Sequence, residues 1–83
     1  MGNTLTTLDA VLTGRKIGCM VRQGGYSIRE LQGMLGLSCP QPIYRWISGQ
    51  AMPSIDNLYM LSRIFGVHME DLLVPMGPDR DSG

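Results

Sequence analysis

The sequence has few of the groups that catalysis and metal binding usually need. It holds one His and two Cys among 83 residues. A structural zinc site takes about four ligands. Cys19 and Cys39 stand far apart with no CxxC, and His68 is at no ligand spacing from either. The thiols are expected to be reduced and packed as small apolar groups, which fits a cytoplasmic protein. There is no Gly-rich phosphate loop and no Ser-His-Asp arrangement that so small a core could hold, so an enzyme is not expected and no cofactor is implied. Long apolar runs are missing too. None approaches the ~20 residues of a membrane span. The start, "MGNTLTTLDAVLTGRK", has no basic region ahead of an apolar block, so no secretory signal is expected. Met1-Gly2-Asn3 followed by Thr6 matches the loose myristoylation pattern, which is short and common by chance.

Net charge is missing as well: seven basic residues balance seven acidic ones. The distribution is less even. Between Thr13 and Gln50 lie Arg15, Lys16, Arg22, Arg29 and Arg45 against one acid, Glu30. After Gln50 lie Asp56, Glu70, Asp71, Asp79 and Asp81 against Arg63 and Arg80. A folded domain would then carry a positive face and a negative end. Chance scatter over solvated surfaces explains the same numbers, so the asymmetry alone decides nothing.

What is there is helical periodicity. No stretch alternates with period two for long enough to be a strand. Residues 1–12 are Thr-rich, and Leu5, Leu8, Val11 and Leu12 read either as a helical stripe or as an arm. Thr13 is expected to cap a first helix, with Ile17, Met20 and Val21 facing inward and Gly24-Gly25 ending it. Ser27 and Glu30 form a Ser-x-x-Glu capping box for a second helix, with Ile28, Leu31 and Leu35 inward and Gly36 closing it. A third helix starts at Ser38 or Cys39. Pro40 and Pro42 then fall in its first turn, where the backbone donor is unpaired anyway. Ile43, Trp46 and Ile47 make its inner edge, and Gly49 ends it. Ser54 caps a fourth helix with Ile55, Leu58, Leu61 and Phe65 as its stripe. "VHMEDLLV" is a short fifth, with Val67 and Leu72 or Leu73 inward. Residues 75–83 read as a disordered tail. The expectation is one all-α, five-helix domain over residues 13–74. A chain this short buries roughly 60% of its unfolded surface and folds with little margin.

The second and third helices, joined by a Gly-containing turn of three or four residues, have the form of a helix-turn-helix. The break frees the second helix of the pair to project. Its outer edge reads Gln41, Pro42, Tyr44, Arg45 and Ser48. Gln can donate to and accept from an adenine edge at once, and Arg can bind guanine at two points or bind phosphate. Tyr44 offers a hydroxyl to phosphate or a ring edge to a thymine methyl. Helix N-termini at Ser27, near Ser38–Pro40, and at Ser54 with Asn57 in its first turn, favour phosphate through unpaired N–H groups.

Over residues 13–74 the chain resembles the Cro/C1-type, or XRE-like, helix-turn-helix repressors. The resemblance rests on "SIRELQGMLGLS", "IYRWISGQAMPSIDNLYMLSRIFGV" and "MEDLLV". It includes Ser27 opening the second helix, Leu31, Gly36 in the turn, Ile43, Trp46, Gly49, Pro53, Leu58 and Gly66. It implies a compact lambda-repressor-like fold that binds double-stranded operator DNA, usually as a homodimer, in the bacterial cytoplasm. The base-reading positions it implies fall on Gln41, Pro42, Tyr44 and Arg45, and the phosphate-contacting positions on Ser27, Arg29, Ser48, Gln50 and Asn57.

Several residues have plainer roles. Trp46 reads as core from its spacing to Ile43. Tyr59 reads as packing or surface, and His68 as a helix-start or surface residue. Tyr26, ahead of Ser27, reads as packing, with a phosphate contact as its alternative. Met20, Met34, Met52, Met60 and Met69 read as flexible core filler, and Met76 with Leu73 and Val74 as a possible dimer patch. Two functions remain, since a fold does not fix a function. One is a sequence-specific DNA-binding repressor. The other is a helix-turn-helix module used for protein contact, antitoxin-like or in assembly, with weak DNA affinity.

Overall fold

Asp9, not Thr13, opens the first helix. Its carboxylate accepts from Leu12 N at 2.9 Å, and its carbonyl accepts from Thr13 N at 2.9 Å. In the computed structural model, which describes residues 7–76, α1 therefore runs Ala10–Gly24, and Thr13 lies inside it, fully buried. Asp and Thr are both good caps. The choice between them falls to packing, because Thr13 Oγ1 is needed elsewhere, as the acceptor for Val74 N at 3.0 Å.

The remaining elements are α2 (Ile28–Leu35), α3 (Gln41–Ser48), α4 (Ile55–Phe65) and α5 (Met69–Leu72). The capping box of α2 forms as expected: Glu30 N donates to Ser27 Oγ at 3.0 Å, and Ser27 N to Glu30 Oε1 at 2.9 Å. Ser54 caps α4 through a bond from Asn57 N at 3.2 Å. At α5 the Asp71 carboxylate accepts from His68 N at 3.1 Å, so His68 supplies only its backbone to that cap. The cap of α3 is Pro40, one residue later than Cys39. Its carbonyl is the first acceptor, taking bonds from Ile43 N at 3.0 Å and Tyr44 N at 3.3 Å. Pro42 then stands second in the helix, where its missing N–H removes no bond.

Ile17, Val21, Leu31, Ile43, Trp46, Leu58, Leu61 and Leu72 form the core, and α3 packs chiefly on α1. Half-buried Met20, Ile28, Leu35, Ile47, Phe65, Val67 and Leu73 surround it. Five residues expected to face inward do not. Ile55 is 72% exposed. It is the first residue of α4, and helical side chains lean toward the N-terminus, so it projects past the end of the layer it was expected to join. Met34 and Met60 are exposed rather than core filler. Cys19 and Cys39 are free thiols, but both are exposed rather than packed inside.

The two ends of the described chain meet. Met76 N donates to Thr7 O at 2.6 Å and Asp9 N to Val74 O at 2.7 Å, around an antiparallel bridge between Leu8 and Pro75. Residues 7–9 are thus tied back to the segment after α5, leaving Leu8, Val11 and Leu12 substantially exposed. The myristoylation pattern, Leu5 and residues 77–83 lie outside the described residues; Pro75 and Met76, expected to begin a disordered tail, are instead paired with Leu8 and Thr7. No described helix is long and apolar enough to cross a membrane.

Candidate nucleic-acid interface

The break between α2 and α3 is built from backbone geometry. Gly36 takes φ +69°, a left-handed conformation in which glycine carries no Cβ penalty. That lets Gly36 N reach Gly33 O at 3.1 Å and Leu37 N reach Gln32 O at 3.0 Å, closing α2. The Gln32 side-chain amide then donates back to Leu37 O at 3.3 Å and seals the turn. Leu37 is half-buried against the core and anchors the turn from inside. The connection spans residues 36–40, slightly longer than the three or four expected, because α3 begins only after Pro40.

Helix α3 then presents two faces. Ile43 and Trp46 are buried, at 0% and 4% exposure, and hold it to the core. Gln41, Tyr44, Arg45 and Ser48 face solvent. They form two i, i+4 pairs, Gln41 with Arg45 and Tyr44 with Ser48, so their side chains stand in adjacent rows. These four, with Ile47 and Gln50, line one shallow concavity. A second concavity is lined by Cys39, Gln41, Pro42, Arg45, Trp46 and Ala51. Gln41 and Arg45 line both, and so stand on the ridge between them. Pro42 is half-buried beside that ridge rather than on the open edge, and contributes only an apolar surface.

The helix ends where its carbonyls are capped. Arg45 O accepts from Gln50 N at 2.9 Å, from Ala51 N at 3.3 Å and from Ser48 Oγ at 3.2 Å. The Arg45 backbone therefore locks the end of α3 while its side chain remains exposed. The Ser48 hydroxyl donates to that carbonyl, so a phosphate contact requires it to turn its proton outward.

The other sequence candidates lie apart from these concavities. Ser27 and Arg29 are exposed at the start of α2, and Asn57 is half-buried in the first turn of α4. Each of those helix ends carries its own acid, Glu30 in α2 and Asp56 in α4. Each acid already complements the end's partial positive charge. At α3, Pro42 has no N–H and Ile43 N is bonded to Pro40 O, so Gln41 N is the donor its first turn has left. The three N-termini are therefore weaker anion sites than their cap residues alone suggest.

Tyr26 is turned away from any such role. Its hydroxyl donates to Ile64 O at 3.1 Å, and its ring lies 5.9 Å from that of Phe65. Its alternative as a phosphate contact is set aside: the hydroxyl ties the loop before α2 to α4. Tyr59, half-exposed, has the Arg63 guanidinium 5.9 Å over its ring. Sequence reasoning overlooked Cys39 and Ala51 as neighbours of the ridge. Both fall outside α3, Cys39 in the turn before it and Ala51 in the loop after it. It also overlooked Gly14, whose closeness to α3 is invisible without the packing.

A helix-turn-helix family model matches residues 20–72, well over half of the chain. The chain belongs to the Cro/C1-type (XRE-like) helix-turn-helix family. Solved structures agree on the fold of this Cro/C1-type domain. It is similar to the restriction-modification controller protein C.AhdI from Aeromonas hydrophila, with TM-score 0.69 and 22% identity over 77% of this chain and 96% of that one. It is similar to the P22 c2 repressor protein in complex with a synthetic operator, with TM-score 0.69 and 26% identity over 75% and 92% of the two chains. Apo-HppE also superimposes, with TM-score 0.74 and 19% identity over 88% of this chain. That match covers only 40% of HppE and shows a shared fold alone. None of the curated proteins matches the chain by sequence. The family match supports a DNA-binding transcription regulator.

Proposed function

We propose that this domain binds double-stranded DNA in a sequence-specific way, with α3 in the major groove, and acts as a transcriptional repressor. The observation that carries this reading is the two-faced α3: Ile43 and Trp46 are buried, while Gln41, Tyr44 and Arg45 are exposed side by side. Gln41 and Arg45, one turn apart on the ridge, are the base readers, Gln41 toward an adenine edge and Arg45 toward guanine. Tyr44 meets a thymine methyl or a phosphate, and Pro42 offers an apolar contact beside them. Ser48 and Gln50 flank the ridge. With Ser27, Arg29 and Asn57, they contact the phosphates that set its register.

The domain acts as a homodimer, at least on DNA, in the bacterial cytoplasm, and the patch of Leu73, Val74 and Met76 takes part in the pairing. The P22 c2 repressor, which is solved with a synthetic operator, supports the DNA partner by likeness. The test is selection of duplexes from a random-sequence pool at physiological salt. Enrichment of two inverted half-sites about one helical turn apart is the expected result. A folded protein that enriches no site would overturn this reading and leave the helix-turn-helix as a protein-contact module.

A further inference from the structure

We infer that Gly14 is a positioning residue for α3: its lack of a side chain lets α1 seat the C-terminal end of α3 at the angle from which Gln41 and Arg45 project. The inference rests on α3 being the DNA-contacting helix. A Cβ built on Gly14 would collide with the carbonyl oxygen of Trp46 and lie 2.8 Å from that of Ile47. Both are backbone atoms, so no rotamer change relieves the contact. Gly18, one turn along α1, is different. A Cβ there would meet Ile47 Cγ2 at 3.2 Å and Arg22 Nη1 at 3.7 Å, both side-chain atoms that can move.

The seat has a second point. Gly49, which ends α3 at φ +83°, would place a Cβ 2.8 Å from Val11 Cα. Val11 therefore meets α3 at its C-cap, and Gly14 meets the carbonyls just before it, where Gly49 N donates to Trp46 O at 3.1 Å. A methyl group on residue 14 must either push Trp46 O away, disturbing that cap, or tilt α3 as a rod. Gln41 lies five residues up the helix from Trp46, about 7.5 Å along its axis. A tilt at the seat is thus carried to the base readers at the far end.

The test uses the full chain, wild type and Gly14→Ala, with Gly18→Ala as a control. Amide residual dipolar couplings without DNA report the orientation of α3 against α1 and α4. Affinities for the selected operator and for a random duplex report function. Gly14→Ala is expected to fold, to change the α3 couplings, and to lose about tenfold or more on the operator, the scale of one bidentate base contact. Its random-duplex affinity, set by phosphate charge, should stay within about twofold. Gly18→Ala should change neither. A merely structural role would lower both affinities together as the folded fraction falls. Unchanged couplings, or equal losses on the two duplexes, would overturn the inference. If Gly14→Ala does not fold, Gly18→Val pushes the same end of α3 through the Ile47 side chain and is judged by the same two criteria. If the wild type selects no operator, it is the functional reading that has failed, and the couplings alone decide whether Gly14 sets the angle of α3.

Discussion

Val74 N donates to Thr13 Oγ1 at 3.0 Å, across 61 residues of sequence. Val74 O in turn accepts from Asp9 N at 2.7 Å, so both backbone polar groups of residue 74 are taken up by the start of α1. Thr13 is fully buried, so bulk solvent does not reach its hydroxyl. Thr13→Val keeps the shape and removes the acceptor, leaving Val74 N unpaired. That should cost about 1–3 kcal/mol, a large part of the ~5–15 kcal/mol of a typical domain. Urea unfolding checks it: the midpoint should fall at unchanged slope. A wild-type midpoint would mean that the bond contributes nothing.

Tyr26→Phe separates packing from DNA contact. The hydroxyl is bonded to Ile64 O, so its loss should reduce stability by about 0.5–1.5 kcal/mol. Operator affinity should be unaffected. The reverse pattern, wild-type stability with weaker binding, would show that the hydroxyl serves a phosphate after all.

Leu31 is fully buried and is the single residue of α2 that is. Leu31→Ala should remove about 2–5 kcal/mol. At the ~4–8 °C per kcal/mol of a domain this size, the melting temperature should drop by at least roughly 8 °C. A smaller drop would mean that the neighbours collapse into the gap and that α2 is held by its cap more than by its core face.

Gln41→Ala and Arg45→Ala should leave melting unchanged, since both side chains are exposed and Ala favours helix. Each should weaken operator binding by about 1–3 kcal/mol and relax the preference at one base position. The salt dependence of Arg45→Ala tells its partner. If Arg45 binds phosphate instead, the log–log slope becomes shallower by about 0.9 and sequence preference survives. Wild-type affinity in both variants would rule out this face of α3.

Much of the fold could be read locally, because its signals act within one turn. Ser27 and Glu30 are three residues apart, and their reciprocal bonds form as the sequence implies. Ile43 and Trp46 share a helical face by spacing alone, and both are buried. With them came the all-α class, the helix order, and an exposed row holding Gln41, Tyr44 and Arg45.

What the tertiary structure decided were matters of distance between segments. Asp9 and Thr13 are both capable caps. Thr13 became a core residue because the backbone of Val74, far along the chain, needs its oxygen. Ile55 continues the apolar stripe of α4, yet the fold ends before reaching it. Tyr26 reads either as packing or as a phosphate contact until Ile64 O is found within reach of its hydroxyl. Gly14 carries no signal of its own in the sequence, and its role depends on the carbonyls of α3 that lie against it. A sequence states which residues are neighbours on one helix, because helical geometry is periodic. Which helix surfaces come to lie against each other depends on the packing of the whole chain.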